Sequence, residues 1–290
     1  MSKRTIVSVG SCVTGHLLEA LAIFPGLTEQ YELHASTEGA SGRLPVQKSV
    51  LGRCTLLIEQ DYPLGSAALF SDTERTALPG DCTTLRVPLV GFNSLWPFVC
   101  VDPRNAPSAE YPWGRRPVPF NDRLALKILE SPLDPEKRVA AYHAIDINSI
   151  VDLGRFHEIQ AEQMIESERN CDVRIASYIL THFRQKRLFF THHHPSPALV
   201  LYILAQLFAH PLFAPFRPGT VESMLRTLSA WLLQRHPFVG EEAPINPQVA
   251  RFFELTWWFP DLVYHLQGRA FTFDEWLADY MTEPLLSQIA

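Results

Sequence analysis

The chain of 290 residues is 47% hydrophobic and 19% charged, a composition typical of a folded globular protein with one large domain, or one domain with an appendage. Its formal net charge of −6 argues against a nucleic-acid-binding protein, because such proteins normally carry a basic face. The five cysteines are scattered, odd in number and without a CxxC pair, so neither a disulfide framework nor a zinc site is expected.

Membrane and export signals are not expected in this sequence. The amino-terminal residues "MSKRTIVSVG" hold too short an apolar run for a signal peptide, and no run of about 18 apolar residues predicts a transmembrane segment. The most apolar stretch, from Pro197 to Pro211, lacks the basic polar face of a membrane-resting helix, so we interpret it as a buried helix. These features predict a cytoplasmic protein.

Apolar runs in the first third of the chain alternate with helical patterns. Strands are predicted at Thr5–Val9, Tyr31–Ala35, Thr55–Glu59, Leu85–Val90 and, much later, Leu188–Thr191. A helix is predicted at Val13–Ile23 and a loop at Thr37–Pro45, and Pro88 favours an edge position or a strand end for the fourth strand. Strands that alternate with helices are typical of βαβ units. The predicted fold class is therefore α/β, a Rossmann-like parallel sheet of about five strands flanked by helices.

The middle of the chain combines an irregular loop with helices. Residues 91–120 are rich in proline and lack periodicity, so they are predicted to form a long functional loop. Residues 121–186 are predicted to be a helical insertion, with helix starts at Asn121 and at Asp134-Pro135. One or two long amphipathic helices are predicted within Ile150–Gln185.

Helical patterns dominate the last part of the chain. Ser196 and Pro197 predict the start of a helix, as a capping residue and a proline at the first helical position. Three further helices are predicted at Gly219–Gln234, Asn246–Trp257 and Phe273–Tyr280. We therefore predict an α/β core domain of residues 1–210 and a mainly helical C-terminal extension of residues 211–290 packed on the core.

Cys12 stands where the first predicted strand turns into the first predicted helix, in "VGSC". In an open parallel sheet, ligands bind beyond the carboxyl ends of the strands. A helix start offers unpaired N–H groups, here of Ser11 to Val13, and a positive dipole end, which favour a thiolate and can bind an oxyanion or a phosphate. Gly10 allows a sharp turn and the close approach of a ligand. The alternative is that Cys12 is a small buried apolar residue.

Three consecutive histidines, in "THHHPS", follow the last predicted strand at the same sheet edge. In an extended conformation His192 and His194 share one face and His193 takes the other. Because a cysteine nucleophile commonly pairs with histidine, His194 is predicted as the general base for Cys12. The alternative is a histidine that caps the following helix or binds backbone carbonyl groups. His265, in "DLVYH", is a second candidate that ranks below His194.

No metal site is predicted. Three consecutive histidines do not easily ligate a single ion, and no carboxylate or cysteine stands at ligand spacing nearby. The segment "FHEIQAEQ" has Ala161 where a zinc-protease helix would carry its second histidine.

Other side chains are candidates for holding a ligand. Arg43, Arg115 and Arg116 could bind phosphate, because a guanidinium makes bidentate contacts with phosphate oxygens, although each is otherwise a plain surface charge. Asn93 follows the fourth strand and could donate to an oxyanion. The aromatic residues that could stack on a sugar or an adenine ring, or simply pack, are Trp96, Tyr111 and Trp113.

These residues resemble the WcbI family of capsular-polysaccharide biosynthesis proteins. The likeness rests on the amino-terminal Gly-x-Cys, on "LLIEQ" and "VPLVGFNSLWP", and most closely on "CDVRIASYI" followed by "RLFFTHHHPS". The family's Asp-Val-x-Ile helix, Leu-Phe-Tyr/Phe-Thr strand and His-Pro turn correspond here to Asp172–Ile175, Leu188–Thr191 and His194-Pro195. The chain departs from the family's usual Gly-Asn-Cys-Gln at Ser11 and Val13, and from its usual asparagine at His193.

The resemblance implies an α/β fold related to SGNH hydrolases, binding of coenzyme A, and acetyl transfer to a capsule sugar. The leading hypothesis is therefore an acyltransferase that uses acetyl-coenzyme A as cosubstrate and a sugar or glycan precursor as acceptor. Cys12 is its nucleophile or lies beside the thioester, and His194 is its base. The residues predicted to contact coenzyme A are Gly10, Ser11, Val13, Arg43, Asn93, Arg115, Arg116, Thr191, His193 and Pro195.

Two alternatives stay open. One is an SGNH-like esterase or deacylase that acts on an acylated glycan, with water as the acceptor. The other is a non-catalytic subunit that binds coenzyme A or a nucleotide within a capsule-synthesis assembly. No metal and no nucleic-acid partner are predicted, and a homo-oligomer is compatible with the sequence.

Overall fold

The structure, a computed structural model, describes residues 3–39, 42–43, 45–61, 70–102, 104, 121–213, 218–234, 242–266 and 268–282. The chain forms two compact units, each made of three separate stretches. The first comprises residues 1–90, 163–181 and 195–238, and the second comprises residues 91–162, 182–194 and 239–290. The division at residue 210 stays a prediction, because compactness does not test which part folds alone.

The first unit is built on a five-stranded sheet. Its strands are β1 (Arg4–Gly10), β2 (Tyr31–Gly39), β3 (Gly42–Arg43), β4 (Cys54–Asp61) and β5 (Thr83–Pro88). Their order is β3-β2-β1-β4-β5, in which β3 runs antiparallel to β2 and the other neighbours are parallel. The predicted parallel sheet is confirmed, although it has four parallel strands rather than about five.

Burial explains why these strands were predictable. In β1 every residue from Thr5 to Gly10 is buried, and in β4 Leu56, Leu57 and Ile58 are buried in succession. A strand covered on both faces has a continuous apolar run instead of an alternating pattern. Pro88 ends β5 at the sheet edge, where its missing N–H interrupts no ladder, as its position in the sequence predicted.

Twelve α-helices lie within the described residues. They are α1 (Cys12–Ala22), α2 (Pro25–Gln30), α3 (Lys48–Leu51), α4 (Asp72–Arg75), α5 (Arg123–Leu129), α6 (Pro135–His143), α7 (Leu153–Ser167), α8 (Ala176–His182), α9 (Pro197–Phe208), α10 (Pro218–Gln234), α11 (Pro247–Phe252) and α12 (Phe273–Thr282). The predicted flanking helices and the helical C-terminal part are confirmed. No helix in the described part of the chain combines the length and the apolar character needed to cross a membrane.

The helix starts agree with the predictions at two of three places. α6 begins at Pro135 after Asp134, and α9 begins at Pro197 after Ser196. The predicted start at Asn121 is wrong by one residue. The next residue, Asp122, caps α5 because its Oδ1 accepts hydrogen bonds from two backbone N–H groups of the first turn, at 2.8 and 3.0 Å.

Two predictions about strands differ from the structure. The strand predicted at Leu188–Thr191 is present as β6 (Phe189–Thr191), but it lies in the second unit, outside the five-stranded sheet, and pairs with a two-residue strand, β7 (His194–Pro195). Its apolar side chains pack on aromatic rings, with Phe189 stacked on Phe92 at 5.7 Å, and burial of this kind produces the same apolar run as a central strand. The predicted loop Thr37–Pro45 instead contains the end of β2 and all of β3.

A hairpin near the carboxyl end was not predicted. It consists of β8 (Tyr264–Leu266) and β9 (Arg269–Phe271), which pair antiparallel. Gly268, in the connection, has a φ of 77°, a conformation that glycine adopts without strain. That glycine between short apolar segments is the signal that could have revealed the hairpin. Most of the predicted loop 91–120, namely residues 103 and 105–120, lies outside the described residues.

Candidate functional site

The first part of the predicted site lies at the carboxyl end of β1. This strand lies between β2 and β4, so the chain adds strands on one side of β1 and then on the other. In open α/β sheets the ligand-binding crevice forms at such a reversal, beyond the carboxyl ends of the strands. Gly10 is the last residue of β1 and Cys12 is the first residue of α1. The sheet topology therefore places the predicted nucleophile where ligands bind in folds of this class.

The turn from β1 to α1 is closely packed around Gly10. A Cβ atom on Gly10 would lie 2.6 Å from Thr14 Cγ2 and 2.7 Å from Gln60 Cβ, well inside van der Waals contact. Ser11 caps α1, since its hydroxyl accepts a hydrogen bond from the Val13 N–H at 3.3 Å. The Thr14 hydroxyl donates to the Ser11 carbonyl at 2.8 Å. Packing within the protein therefore requires glycine here, whatever a ligand also requires.

Gln60 is a part of this turn that was not predicted. Its side chain is 2% exposed, and its Oε1 accepts a hydrogen bond from the Ser11 N–H at 2.8 Å. Its Nε2 lies 3.4 Å from the Pro88 carbonyl, to which it donates. One amide thus connects the carboxyl ends of β1, β4 and β5. The two polar residues that end "LLIEQ" are the signal in the sequence, because they follow the apolar run toward the ligand-binding edge of the sheet.

These contacts bear on how the turn could bind an anion. Two of the N–H groups predicted as oxyanion or phosphate donors are engaged within the protein, that of Ser11 by Gln60 and that of Val13 by the Ser11 hydroxyl. Either group must exchange partners before it can bind a ligand. Cys12 itself is half-buried. The positive end of the α1 dipole lies at the same turn, and hydrogen bonds from its first N–H groups to oxygens partly offset it.

His194, the predicted base, is held by Thr191 in the second unit. The imidazole is 6% exposed, and its Nδ1 lies 2.9 Å from Thr191 Oγ1. The same oxygen accepts hydrogen bonds from the backbone N–H groups of His194 and His193, at 3.1 and 3.4 Å. Thr191 therefore fixes the orientation of the His194 ring, and its contact with coenzyme A stays a prediction.

The hydrogen bonds of Thr191 also bear on the tautomer of His194. With both lone pairs accepting from backbone N–H groups, the hydroxyl donates to Nδ1, and a neutral imidazole then carries its proton on Nε2. A base that acts through Nε2 requires the other tautomer, in which Nδ1–H donates to Oγ1. That change gives up the bond from His193, which at 3.4 Å is the longest and weakest of the three. The base tautomer also requires a new acceptor for the hydroxyl hydrogen of the buried Thr191, which in the resting tautomer is donated to Nδ1.

The three histidines form a continuous array of rings. His193 Nδ1 lies 2.9 Å from His192 Nε2, and the ring centroids of this pair are 4.2 Å apart. The centroids of His193 and His194 are 4.1 Å apart. In the described part of the chain, no group of three or more histidine, cysteine, aspartate or glutamate residues could hold a metal ion.

The segment after β5 packs on the histidine array within the second unit. The Phe92 N–H donates to the His192 carbonyl at 2.7 Å. Asn93, the predicted oxyanion donor, uses its side-chain NH₂ to donate to Gln160 Oε1 in α7 at 3.1 Å. This bond uses one of the two N–H donors of the Asn93 amide, and the predicted role of Asn93 as an oxyanion donor stays a prediction.

The remaining predicted contacts are distributed along the chain. Arg43 is the last residue of β3, and Arg115-Arg116 lies outside the described residues. Pro195 is buried and belongs to the first unit. Cys12 lies in the first unit and His194 in the second, and their pairing as nucleophile and base stays a prediction.

His265, the lower-ranked histidine, contacts a buried carboxylate. Its Nδ1 lies 3.2 Å from Glu242 Oε2, which also accepts the His265 backbone N–H at 2.8 Å. The other oxygen of Glu242 accepts a hydrogen bond from Arg187 at 3.0 Å, although burial lowers the pKa of Arg187. Because Arg187 already neutralises Glu242, the exposed His265 completes a structural ion-pair network, and it stays below His194 as a candidate base.

Comparisons with known proteins agree with this fold. No curated protein matches the sequence. One solved structure is similar to this chain. It is that of WcbI, described as a polysaccharide biosynthesis enzyme in its native form without a disulfide bond between coenzyme A and one of its cysteines. The match covers 97% of this chain and 89% of the WcbI chain. The TM-score is 0.66 at 16% sequence identity, so this likeness concerns the fold alone. The family model described as polysaccharide biosynthesis enzyme WcbI matches residues 5–211, more than half of the chain. The chain therefore belongs to the WcbI family of polysaccharide biosynthesis enzymes.

Proposed function

We propose that this protein transfers an acetyl group from acetyl-coenzyme A to a hydroxyl group of a sugar or glycan precursor. The observation that carries the proposal is the position of Cys12, at the start of α1 and at the strand reversal, in a member of a polysaccharide biosynthesis family. The description of the related WcbI structure mentions a disulfide bond between coenzyme A and a cysteine of that protein, which its native form lacks. By analogy, the thiol end of coenzyme A would lie beside Cys12 here.

A buried hydroxyl in the first unit is a further candidate contact for the acyl donor. The Ser196 hydroxyl is buried at the start of α9, in the same unit as Cys12, and has no hydrogen-bond partner among the described residues. A buried hydroxyl without a partner costs stability, which a carbonyl or an amide of a ligand would restore. Ser196 therefore joins Cys12 as a candidate contact for the acyl donor.

The proposed chemistry assigns one step to each of two side chains. The Cys12 thiolate attacks the thioester carbonyl carbon, forms a new carbon–sulfur bond and releases the thiolate of coenzyme A. His194 then takes the proton of the acceptor hydroxyl as that oxygen attacks the acyl-cysteine, which gives the ester and returns the Cys12 thiolate. Thr191 holds the His194 ring in position for this proton transfer.

The test is a labelling and transfer assay with purified full-length protein and acetyl-coenzyme A. We expect one acetyl group on Cys12, seen by intact mass, release of coenzyme A, and transfer to an acceptor chosen from a panel of nucleotide sugars. Cys12→Ala should abolish both labelling and transfer. Cys100→Ala is the matched control, because Cys100 is also half-buried and burial raises the pKa of its thiol to about 11. Full transfer by Cys12→Ala would exclude the nucleophile role.

The same assay separates the alternatives. An esterase or deacylase would release acetate from an acetylated glycan without any coenzyme A. A non-catalytic subunit would bind coenzyme A equally well in wild type and Cys12→Ala, and would transfer nothing to any sugar. Either result would replace the acyltransferase proposal.

A further inference from the structure

A small cavity in the second unit lies beside the histidine array. Its wall includes Leu95, Trp96, Phe98, Ala243 and Trp276, and His192 contributes to its polar rim. The space open to the centre of a water-sized sphere is about 30 Å³. Since a water molecule needs roughly 10–15 Å³ on this measure, the cavity holds about two or three water-sized groups. A sugar ring or a phosphate is too large for it.

The apolar wall of the cavity is held firmly. Leu95 is 2% exposed and Trp276 is 6% exposed, so neither has room to move outward. The Trp96 indole N–H donates to the carbonyl groups of Ala243 and Pro244 at 3.3 and 3.2 Å. A wall that is both buried and hydrogen-bonded keeps its volume when a ligand enters. The cavity therefore has a defined depth.

The polar groups around the cavity are occupied by the protein itself. Asp122 accepts hydrogen bonds from two backbone N–H groups and from the Tyr142 hydroxyl, the last at 2.8 Å. Asn246 donates to the Tyr142 hydroxyl at 3.0 Å and accepts the Gln248 N–H at 2.8 Å. Asn121 donates to a backbone carbonyl at 3.0 Å. What the cavity offers a ligand is thus mainly its apolar wall, which suits a short hydrocarbon group.

We propose that this cavity receives the hydrocarbon end of the acyl group and limits it to about two or three carbon atoms. His192 lines the cavity, and its Nε2 lies 2.9 Å from Nδ1 of His193, the residue before the predicted base. An acyl group held there lies beside His192, the first residue of the histidine array. The inference rests on the proposed function, which names the reaction but assigns no residue to the selection of the acyl chain.

The test measures binding and turnover of acetyl-, propionyl-, butyryl- and hexanoyl-coenzyme A. One methylene group in an apolar pocket changes discrimination by roughly 10-fold to 200-fold. Wild type should therefore prefer acetyl- or propionyl-coenzyme A over butyryl-coenzyme A by about 10-fold or more. Leu95→Ala deepens the cavity and should reverse that preference toward butyryl-coenzyme A. Ala243→Val fills it and should reject propionyl-coenzyme A.

Controls distinguish a specific effect from loss of stability. Leu204→Ala removes an equally buried leucine from α9 in the first unit and should leave the chain-length profile unchanged. If Leu95→Ala does not fold, Trp276→Phe enlarges the same cavity more gently and should shift the profile in the same direction. An unchanged profile in both Leu95→Ala and Ala243→Val, or the same shift in Leu204→Ala, overturns the inference and leaves the proposed function standing.

Calorimetric titration separates the two proposals when no transfer is seen. Altered chain-length preference in the dissociation constants, without any turnover, supports the cavity assignment while the acyl-transfer proposal fails. If no acyl-coenzyme A binds to the wild-type protein, both fail. Equal affinity for all four compounds in wild type and variants shows that the cavity holds only water, and the inference is then wrong.

Discussion

Replacing Gly10 with alanine adds one carbon atom at the tightest point of the candidate site. The new Cβ would meet Thr14 Cγ2 at 2.6 Å, Gln60 Cβ at 2.7 Å and Thr14 Oγ1 at 2.8 Å. Carbon atoms in contact normally lie about 3.5–4.0 Å apart, so each carbon neighbour must move by about 1 Å. Thr14 is fully buried and Gln60 nearly so, and Gln60 Cβ is fixed to the backbone of β4. The strain therefore reaches the backbone of the turn.

The expected loss of stability follows from two opposing effects. Overpacking of a closely packed site costs about 1–3 kcal/mol, and three short contacts place Gly10→Ala near the upper end. Removing a glycine also restricts the unfolded chain, which returns about 0.4–1 kcal/mol. The net expectation is a loss of about 2 kcal/mol in the free energy of unfolding of the first unit.

Urea unfolding followed by circular dichroism measures this change as a lower midpoint at an unchanged slope. Gly80→Ala is the matched control, because a Cβ on Gly80 would meet no atom within 4 Å. That variant should be as stable as wild type, or up to about 1 kcal/mol more stable. If Gly10→Ala unfolds at the wild-type midpoint, or if both variants lose the same stability, the packing argument for Gly10 is refuted.

Two further predictions concern the second unit. Thr191→Val removes the hydroxyl that orients His194, so the rate of acetyl transfer should fall by about 10-fold or more and the pH–rate profile should shift. Thr191→Ser keeps a hydroxyl and should restore both the rate and the profile. An unchanged profile in Thr191→Val would disprove the orienting role. For Asp102, burial raises the pKa, but hydrogen bonds from Arg104 and Tyr280 outweigh burial and hold the pKa below its ordinary value of 3.8. This carboxylate therefore stabilises the fold above pH 3.8, and its contribution is lost as the pH falls through the lowered pKa. Asp102→Asn should be less stable than wild type at neutral pH, and urea unfolding at decreasing pH should show the difference shrinking in strong acid.

Local sequence patterns predicted those strands and helix starts that are determined by neighbouring residues. Continuous apolar runs revealed β1 and β4, since both strands are covered on both faces. Asp134-Pro135 and Ser196-Pro197 predicted two helix starts, because capping and the fixed φ of proline act within a few residues. The short apolar segment β6 was misplaced because burial among aromatic side chains and burial inside a sheet leave the same pattern.

Contacts between residues far apart in the sequence determine which hydrogen-bond donors of the site are engaged, and local patterns do not predict these contacts. The Ser11 N–H and Gln60 are 49 positions apart, and Asn93 and Gln160 are 67 positions apart. No sequence periodicity relates the two members of such a pair. A hydrogen-bond donor that has no partner within its own helix start or loop therefore has one elsewhere in the folded protein. The positions of Gly10 and Cys12 after the first strand predicted where the candidate site lies. The number of N–H donors available to a ligand could be determined only from the tertiary structure.

The engaged donors change what the candidate site can do to a developing negative charge. An oxyanion hole made of the Ser11 and Val13 N–H groups would have to break two existing hydrogen bonds during the reaction, which opposes the preorganisation that makes such sites effective. The dipole of α1 has its positive end at the same place, where Gln60 Oε1 and Ser11 Oγ partly offset it. In the proposed reaction, stabilisation of the oxyanion therefore falls to groups other than the Ser11 and Val13 N–H groups.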